Sequence, residues 1–229
     1  MHGNIIKRST VLCLLIIGLL SLTSPSFSGE VLQDLPTTIN RSAKYIFFLH
    51  GRIVADKGVA GAKSKKYGFY EYQKILNALA GYDFIVISED RGNDAKIQGH
   101  AKKIASQVST LIENGVPPNN ITVAGFSDGG KITLVASSFI ASNLINYVVL
   151  AGCVRESEQF SKKFNLDLKG RVLSIVDYRD ETFSSCEDMF SSSSGGLEHK
   201  ELILRDGRGH GVFYTPNDIW ILPMINWIK

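Results

Sequence analysis

The sequence predicts an α/β domain whose mostly parallel sheet of about five or six strands is covered by helices on both faces. Three observations carry this. Short apolar runs of strand length alternate with stretches whose apolar residues recur at helical spacing. The runs are apolar throughout rather than at every second position, as strands buried on both faces are. The residues able to do chemistry gather where those runs end, the edge at which α/β sheets bind their ligands. With 229 residues, 44% of them hydrophobic, the chain can bury one sizeable core, so residues 29–229 are read as one domain.

Taken in order, residues 29–44 are mixed and polar, with room for at most one short edge strand. Residues 45–49, all apolar and rich in aromatics, form the first strong strand and end at His50-Gly51-Arg52. A Gly- and Lys-bearing loop is expected over 52–66. A helix is expected over 67–79, with Tyr72, Ile75, Leu76 and Leu79 on one stripe and Gly81 at its end. Residues 83–88 are the next buried strand. Ile97, Ala101, Ile104, Ala105, Val108, Leu111 and Ile112 mark the clearest helix, stopped at Asn114-Gly115. Residues 121–126 and 146–153 are strands separated by a helix over 131–140. A polar connection leads to a strand over 170–176, and the Ser/Gly stretch 191–196 is a connector. Residues 200–204 are the last short strand. Thr215-Pro216-Asn217-Asp218 then opens a terminal helix with a cap residue, a proline at the first helical position and an early acid. Pro223 should kink or restart it.

Residues 1–28 have the pattern of a secretory signal peptide: Lys7 and Arg8, a nearly unbroken apolar run over 11–22, and small residues Ser26 and Ser28 before Gly29. The run is shorter than the roughly 20 residues a spanning helix needs, so no stable membrane anchor is expected after cleavage. Cys13 lies too early to carry a lipid. The mature chain is expected to be secreted or periplasmic. Removing Lys7 and Arg8 changes 25 basic against 22 acidic residues into 23 against 22, and no basic run with interleaved aromatics follows, so a nucleic-acid partner is not expected. Cys153 and Cys186 remain, an even pair that an oxidising compartment would join; two separately buried thiols are the alternative. No CxxC or HxxxH cluster points to a metal.

The chemistry centres on Gly125-Phe126-Ser127-Asp128-Gly129, where a β-branched run stops at a serine between glycines. Small residues on both sides suit a tight strand-to-helix turn that exposes one hydroxyl at the sheet's edge. A serine hydroxyl needs a general base at neutral pH, and the base needs a partner to fix its tautomer. His2 falls within the signal, His100 takes a polar position on the long helix, His199 stands at the wrong end of the last strand, and His50 precedes the serine. His210, in the loop Gly207-Arg208-Gly209-His210-Gly211, is left as the base. The acid comes from Asp177 or Asp180; Asp180, three residues further, has more backbone with which to turn its carboxylate towards the imidazole.

The order of serine, acid and histidine, the turn around Ser127 and the early strand ending in His-Gly together resemble the α/β-hydrolase family over nearly all of residues 29–229. The resemblance implies a Ser127–His210–Asp180 triad and an oxyanion hole made by the backbone N–H of Asp128 and one from Gly51 or Arg52. It implies no metal or organic cofactor and a small-molecule acyl substrate. The glycine usual before the acid is absent from Asp177-Tyr178-Arg179-Asp180, and no second glycine follows Gly51. The connection over 153–169 is too short for a large lid, which is closer to compact carboxylesterases and dienelactone-hydrolase-like members than to lidded lipases. A Cys153–Cys186 link would brace the acid loop. Tyr67, Phe69, Tyr70 and Phe126 are either pocket lining or core. The expectation is therefore an exported serine hydrolase of ester or related acyl bonds; a peptidase and a non-catalytic binding module of the same fold are the alternatives.

Overall fold

A computed structural model describes residues 29–140, 142–194 and 196–229. The expected export signal at 1–28, with Cys13, lies outside the described residues. The main sheet has seven strands: β1 (Glu30–Leu32), β2 (Lys44–Leu49), β5 (Phe84–Ile87), β6 (Ile121–Phe126), β7 (Asn146–Leu150), β8 (Gly170–Asp177) and β9 (Leu197–Leu204). Their order is β1-β5-β2-β6-β7-β8-β9, and every neighbouring pair is parallel. A separate antiparallel ribbon joins β3 (Lys63–Ser64) to β4 (Gly68–Phe69). No helix among the described residues is long and apolar enough to cross a membrane.

Alternate strand residues feed two cores. Ile46, Phe48, Val86, Ala124, Phe126, Val148 and Leu150 face α2 (Tyr72–Ala80) and α7 (Asp218–Ile228), while Tyr45, Phe47, Ile85, Val123, Tyr147 and Val149 face α3 (Ile97–Glu113) and α4 (Asp128–Phe139). This is why the central strands are almost continuously apolar, with Thr122, Asn146 and Ser174 as buried polar exceptions. The parallel arrangement turns all carboxyl ends of the strands to one edge, and the residues singled out for chemistry stand there.

The structure differs from the sequence reading in places where local pattern is weak. Seven strands replace five or six, the extra one being β1, only three residues long, and β9 begins at Leu197, three residues before the expected start. As an outer strand, β9 carries the exposed Glu198, His199 and Lys200, which mask its first half. The expected loop after residue 52 contains α1 (Arg52–Gly61), which buries only Val54 and is broken at Gly58 with φ 70°. With one buried residue it shows no stripe. The expected helix over 67–79 starts five residues late, since residues 68–69 belong to the ribbon. Two short helices, α5 (Ser157–Phe164) and α6 (Glu187–Ser191), occupy the polar connection and the loop before the Ser/Gly stretch. The cap of α7 is Asn217, whose side chain accepts from Ile219 N, so Pro216 precedes the cap, and the helix runs on through Pro223. His100, read at a polar position, is buried.

Cys153 and Cys186 form a disulfide with Cα atoms 5.2 Å apart. It closes a loop of 33 residues in sequence separation, for which chain entropy gives about 3 to 4 kcal/mol of stabilisation. The double variant Cys153→Ser/Cys186→Ser should therefore melt roughly 10 °C lower; an unchanged melting temperature, or two titratable thiols in the unreduced protein, would contradict the pairing. A second prediction concerns acid. Burial, then the Arg91 charge, pulls His50 down to about 3 and His100 down to about 4 from 6.5. Both therefore stay neutral when folded and take up protons only on unfolding. Stability is full above the unfolded value near 6.5 and falls with pH below it, by about 1.4 kcal/mol per pH unit for each histidine. Calorimetry should find the melting temperature roughly 10 °C lower at pH 5 than at pH 7; a flat profile would show that these imidazoles protonate in the folded state.

Candidate active site

Ser127 occupies the single residue between β6 and α4, with φ 57° and ψ −117°. A non-glycine residue rarely adopts positive φ, and the surroundings must hold it there. Ser127 N donates to Leu150 O on β7, and two glycines permit the required approach of chains. A Cβ on Gly125 would come within 2.2 Å of Gly129 O, and one on Gly129 within 1.9 Å of Leu49 O at the end of β2. The turn is thus pressed against both flanking strands. Asp128 is the first residue of α4, where backbone N–H groups have no partner within the helix. Its carboxylate is directed sideways, to Lys131 Nζ at 3.0 Å and Arg52 at 3.8 Å.

His210 lies in a 3-10 turn, Gly209–Tyr214, which follows β9. Its Nδ1 is 2.7 Å from Asp180 Oδ2. An ionised carboxylate only accepts, so Nδ1 carries the proton and donates, which leaves Nε2 as the basic nitrogen. The imidazole is also held by its faces. Phe183 stacks on it at 5.0 Å between centroids and 10° between planes, and Phe126, the neighbour of Ser127, lies 4.6 Å away. Tyr67 stands further out at 6.3 Å.

The two aspartates of the acid loop have separate duties. Asp180 Oδ1 accepts from Thr182 N and Phe183 N, both at 2.9 Å, while Oδ2 serves His210. Burial pushes its carboxyl up, but the hydrogen bond and charge of His210 and the two backbone donors outweigh this and hold it below the usual carboxylate value. Asp177, also buried, accepts four backbone N–H groups at 3.0 Å: those of Arg179 and Gly209 on Oδ1, and those of Asp206 and Gly207 on Oδ2. It pins the histidine loop to the end of β8.

The acid loop is tied to the exit of β7. Beside the disulfide, Val154 pairs with Phe183, Ser184 N donates to Cys153 O, and Arg155 donates to Glu181 O at 3.2 Å. Phe183 is thus fixed at its backbone while its ring backs His210. The sequence offered no sign of that role, since one phenylalanine in a polar loop has no pattern. Gly51 stands on the other side of Ser127: a Cβ there would lie 3.1 Å from the Phe126 ring and 3.4 Å from Ser127 Cβ. Arg52, the first residue of α1, is exposed. His210 and Gly51 therefore flank the Phe126 ring beside Ser127, Asp180 is bound to His210, and Asp128 follows Ser127 in the chain. Of the aromatics weighed as pocket lining, Tyr70 and Phe126 are buried in the core, Tyr67 borders His210, and Phe69 is exposed. Among the described residues, no cluster of three or more His, Cys, Asp or Glu side chains could hold a metal ion.

Residues 68–176 match the family described as phospholipase/carboxylesterase, a stretch that includes Ser127 and stops just before Asp177. No curated protein matches the chain. Solved structures similar to it include SOBER1 from Arabidopsis thaliana, at 15% identity and TM-score 0.53 over 82% of this chain and 98% of that one. A truncated carbohydrate esterase from gut microbiota is similar at 18% identity and TM-score 0.52, over 85% and 87%. An acetyl xylan esterase from Paenibacillus sp. R4 is similar at 12% identity and TM-score 0.53, over 85% and 76%. With its seven-stranded parallel sheet, its strand-turn-helix at Ser127 and these similarities, the chain has the α/β-hydrolase fold.

Proposed function

We propose that the chain is an exported serine hydrolase that cleaves an ester or related acyl bond of a small molecule. The observation that carries this reading is the Asp180–His210 hydrogen bond of 2.7 Å, set beside a serine held at φ 57° on the strand-end edge of the sheet. Ser127 Oγ would attack the acyl carbon while His210 Nε2 takes its proton. The carbonyl oxygen, now an oxyanion, would be stabilised by the N–H of Asp128 and one from Gly51 or Arg52, each worth about 3 kcal/mol in such sites. His210 would then give the proton to the leaving group, whose bond to the acyl carbon breaks. Water would repeat the sequence in reverse and free the serine. Asp180 stays ionised throughout and stabilises the imidazolium.

The wall of the site is consistent with an open approach. Its rim carries the exposed Arg52, a Lys66–Glu181 ion pair at 2.7 Å, and Lys66 over the Tyr67 ring. The connection between β7 and β8 holds only the eight-residue α5. The similarity to carboxylesterases and carbohydrate esterases favours an ester over an amide, while export rests on residues 1–28.

A fluorophosphonate probe should label the wild-type protein and leave Ser127→Ala unlabelled, with hydrolysis of p-nitrophenyl esters lowered about 10⁴-fold or more; a wild type that never labels would sink the reading. The two aspartates should separate in kinetics and in calorimetry. Asp180→Asn should keep the fold and lower kcat by about 10² to 10⁴-fold. Asp177→Asn would turn an amide N–H towards backbone donors and should cost about 2 to 4 kcal/mol of stability, with the smaller effect on kcat once folded. The reverse ranking would transfer the acid role to Asp177.

A further inference from the structure

Two buried polar side chains, His50 and Arg91, take no part in the steps above yet converge on the loop between β2 and α1. Arg91 N donates to His50 Nε2 at 3.1 Å, and Arg91 Nη2 donates to His50 O. Because Nε2 accepts, the imidazole proton sits on Nδ1, which donates to Gly51 O at 3.0 Å. Two successive carbonyls, those of His50 and Gly51, are therefore each held by a side-chain donor. In a trans peptide the N–H points opposite to the carbonyl of the same plane. Fixing His50 O fixes the N–H of Gly51, and fixing Gly51 O fixes the N–H of Arg52. These are the two candidates for the second oxyanion donor.

A brace between strands does not account for this. The ends of β2 and β5 are already joined one step earlier, where Tyr72 donates to Ser88 Oγ and Ser88 donates to Phe48 O. Arg91 reaches past that junction to the loop. It is also an expensive residue to place there. Its side chain is buried, it forms no ion pair within 4.0 Å among the described residues, and its Nη1 has no hydrogen-bond partner among them. The carboxylate that acts on it most strongly through space is that of Asp128, whose N–H is the other expected donor. Tyr72 closes the site from the side, its ring edge-on to His50 at 5.4 Å and 82°.

We propose that Arg91 and His50 are positioning residues for the oxyanion hole, locking the two peptide planes that present the N–H groups of Gly51 and Arg52 to the reacting carbonyl. This rests on the hydrolase reading of Ser127. Neither residue touches substrate, so the effect belongs in transition-state binding rather than in substrate affinity.

The test is steady-state hydrolysis of a p-nitrophenyl ester, with inhibition by a boronic acid that forms a tetrahedral adduct on the serine, in Arg91→Met, His50→Gln and His50→Asn. Arg91→Met should lower kcat about 10- to 100-fold with KM within about threefold, and boronate affinity should fall by the same factor. His50→Gln keeps an acceptor for Arg91 N but loses the donor to Gly51 O, and should show the same signature; should Arg91→Met not fold, it decides alone. His50→Asn, whose amide N–H can stand where Nδ1–H stands, should recover most of kcat. Folded Arg91→Met or His50→Gln enzymes with kcat and boronate affinity within about twofold of wild type would overturn the positioning role alone. A wild type that neither hydrolyses esters nor labels with fluorophosphonate would overturn the hydrolase reading with it.

Discussion

The geometry of the site depends on one strained residue. Ser127 stands in a region of backbone space that costs a side-chain-bearing residue of order 1 to 3 kcal/mol, and nothing local offsets that cost. What holds it is packing at both ends of the turn: the backbone of Gly125 against Gly129, and Gly129 against the last carbonyl of β2. The same contact brings the His50-Gly51-Arg52 loop alongside Ser127. The half-buried Ser127 and the backbone of that loop are thus brought together by a single close approach, and any side chain added at position 129 would part them.

A second layer of organisation lies in how the acidic loop divides its work. The proposed triad needs an imidazole of fixed tautomer and a histidine loop of fixed position, and different carboxylates meet these two demands. Asp180 is saturated by His210 and two backbone donors, Asp177 by four backbone donors. Both are buried, and each is stable there only because all its neighbours donate. The disulfide and the Val154–Phe183 bridge continue the same logic, since they hold the ring on which His210 stacks. The imidazole is therefore fixed in its plane by hydrogen bonding and out of it by stacking.

Much of this was legible in the chain. The buried strands announced themselves because a strand covered on both faces is apolar at most positions, and the few polar residues of β6, β7 and β8 are too scattered to impose an alternating pattern. The glycines around Ser127 marked the turn because only glycine fits those contacts. What escaped notice lacked that redundancy. α1 buries one residue and β1 is three residues long, so neither has a period to detect. The choice between Asp177 and Asp180 depended on where a turn aims two side chains, which spacing alone does not set. Phe183 and Arg91 act through one ring and one guanidinium in irregular loops. The sole hint for Arg91 was a charged residue just past a buried strand at the reactive edge of the sheet. In the sequence His50 is a rejected base and the end of the first strong strand, and its hydrogen bonds to Arg91 join the loop to that arginine.

The central claim is that Ser127 becomes acylated during turnover. The most direct measurement is a rapid quench of the reaction with a slowly deacylating ester, followed by intact-mass analysis and peptide mapping. A covalent mechanism predicts a burst of released alcohol matched by one acyl group per chain, carried on Ser127. Turnover without a burst or an adduct, or an adduct on another residue, would contradict it.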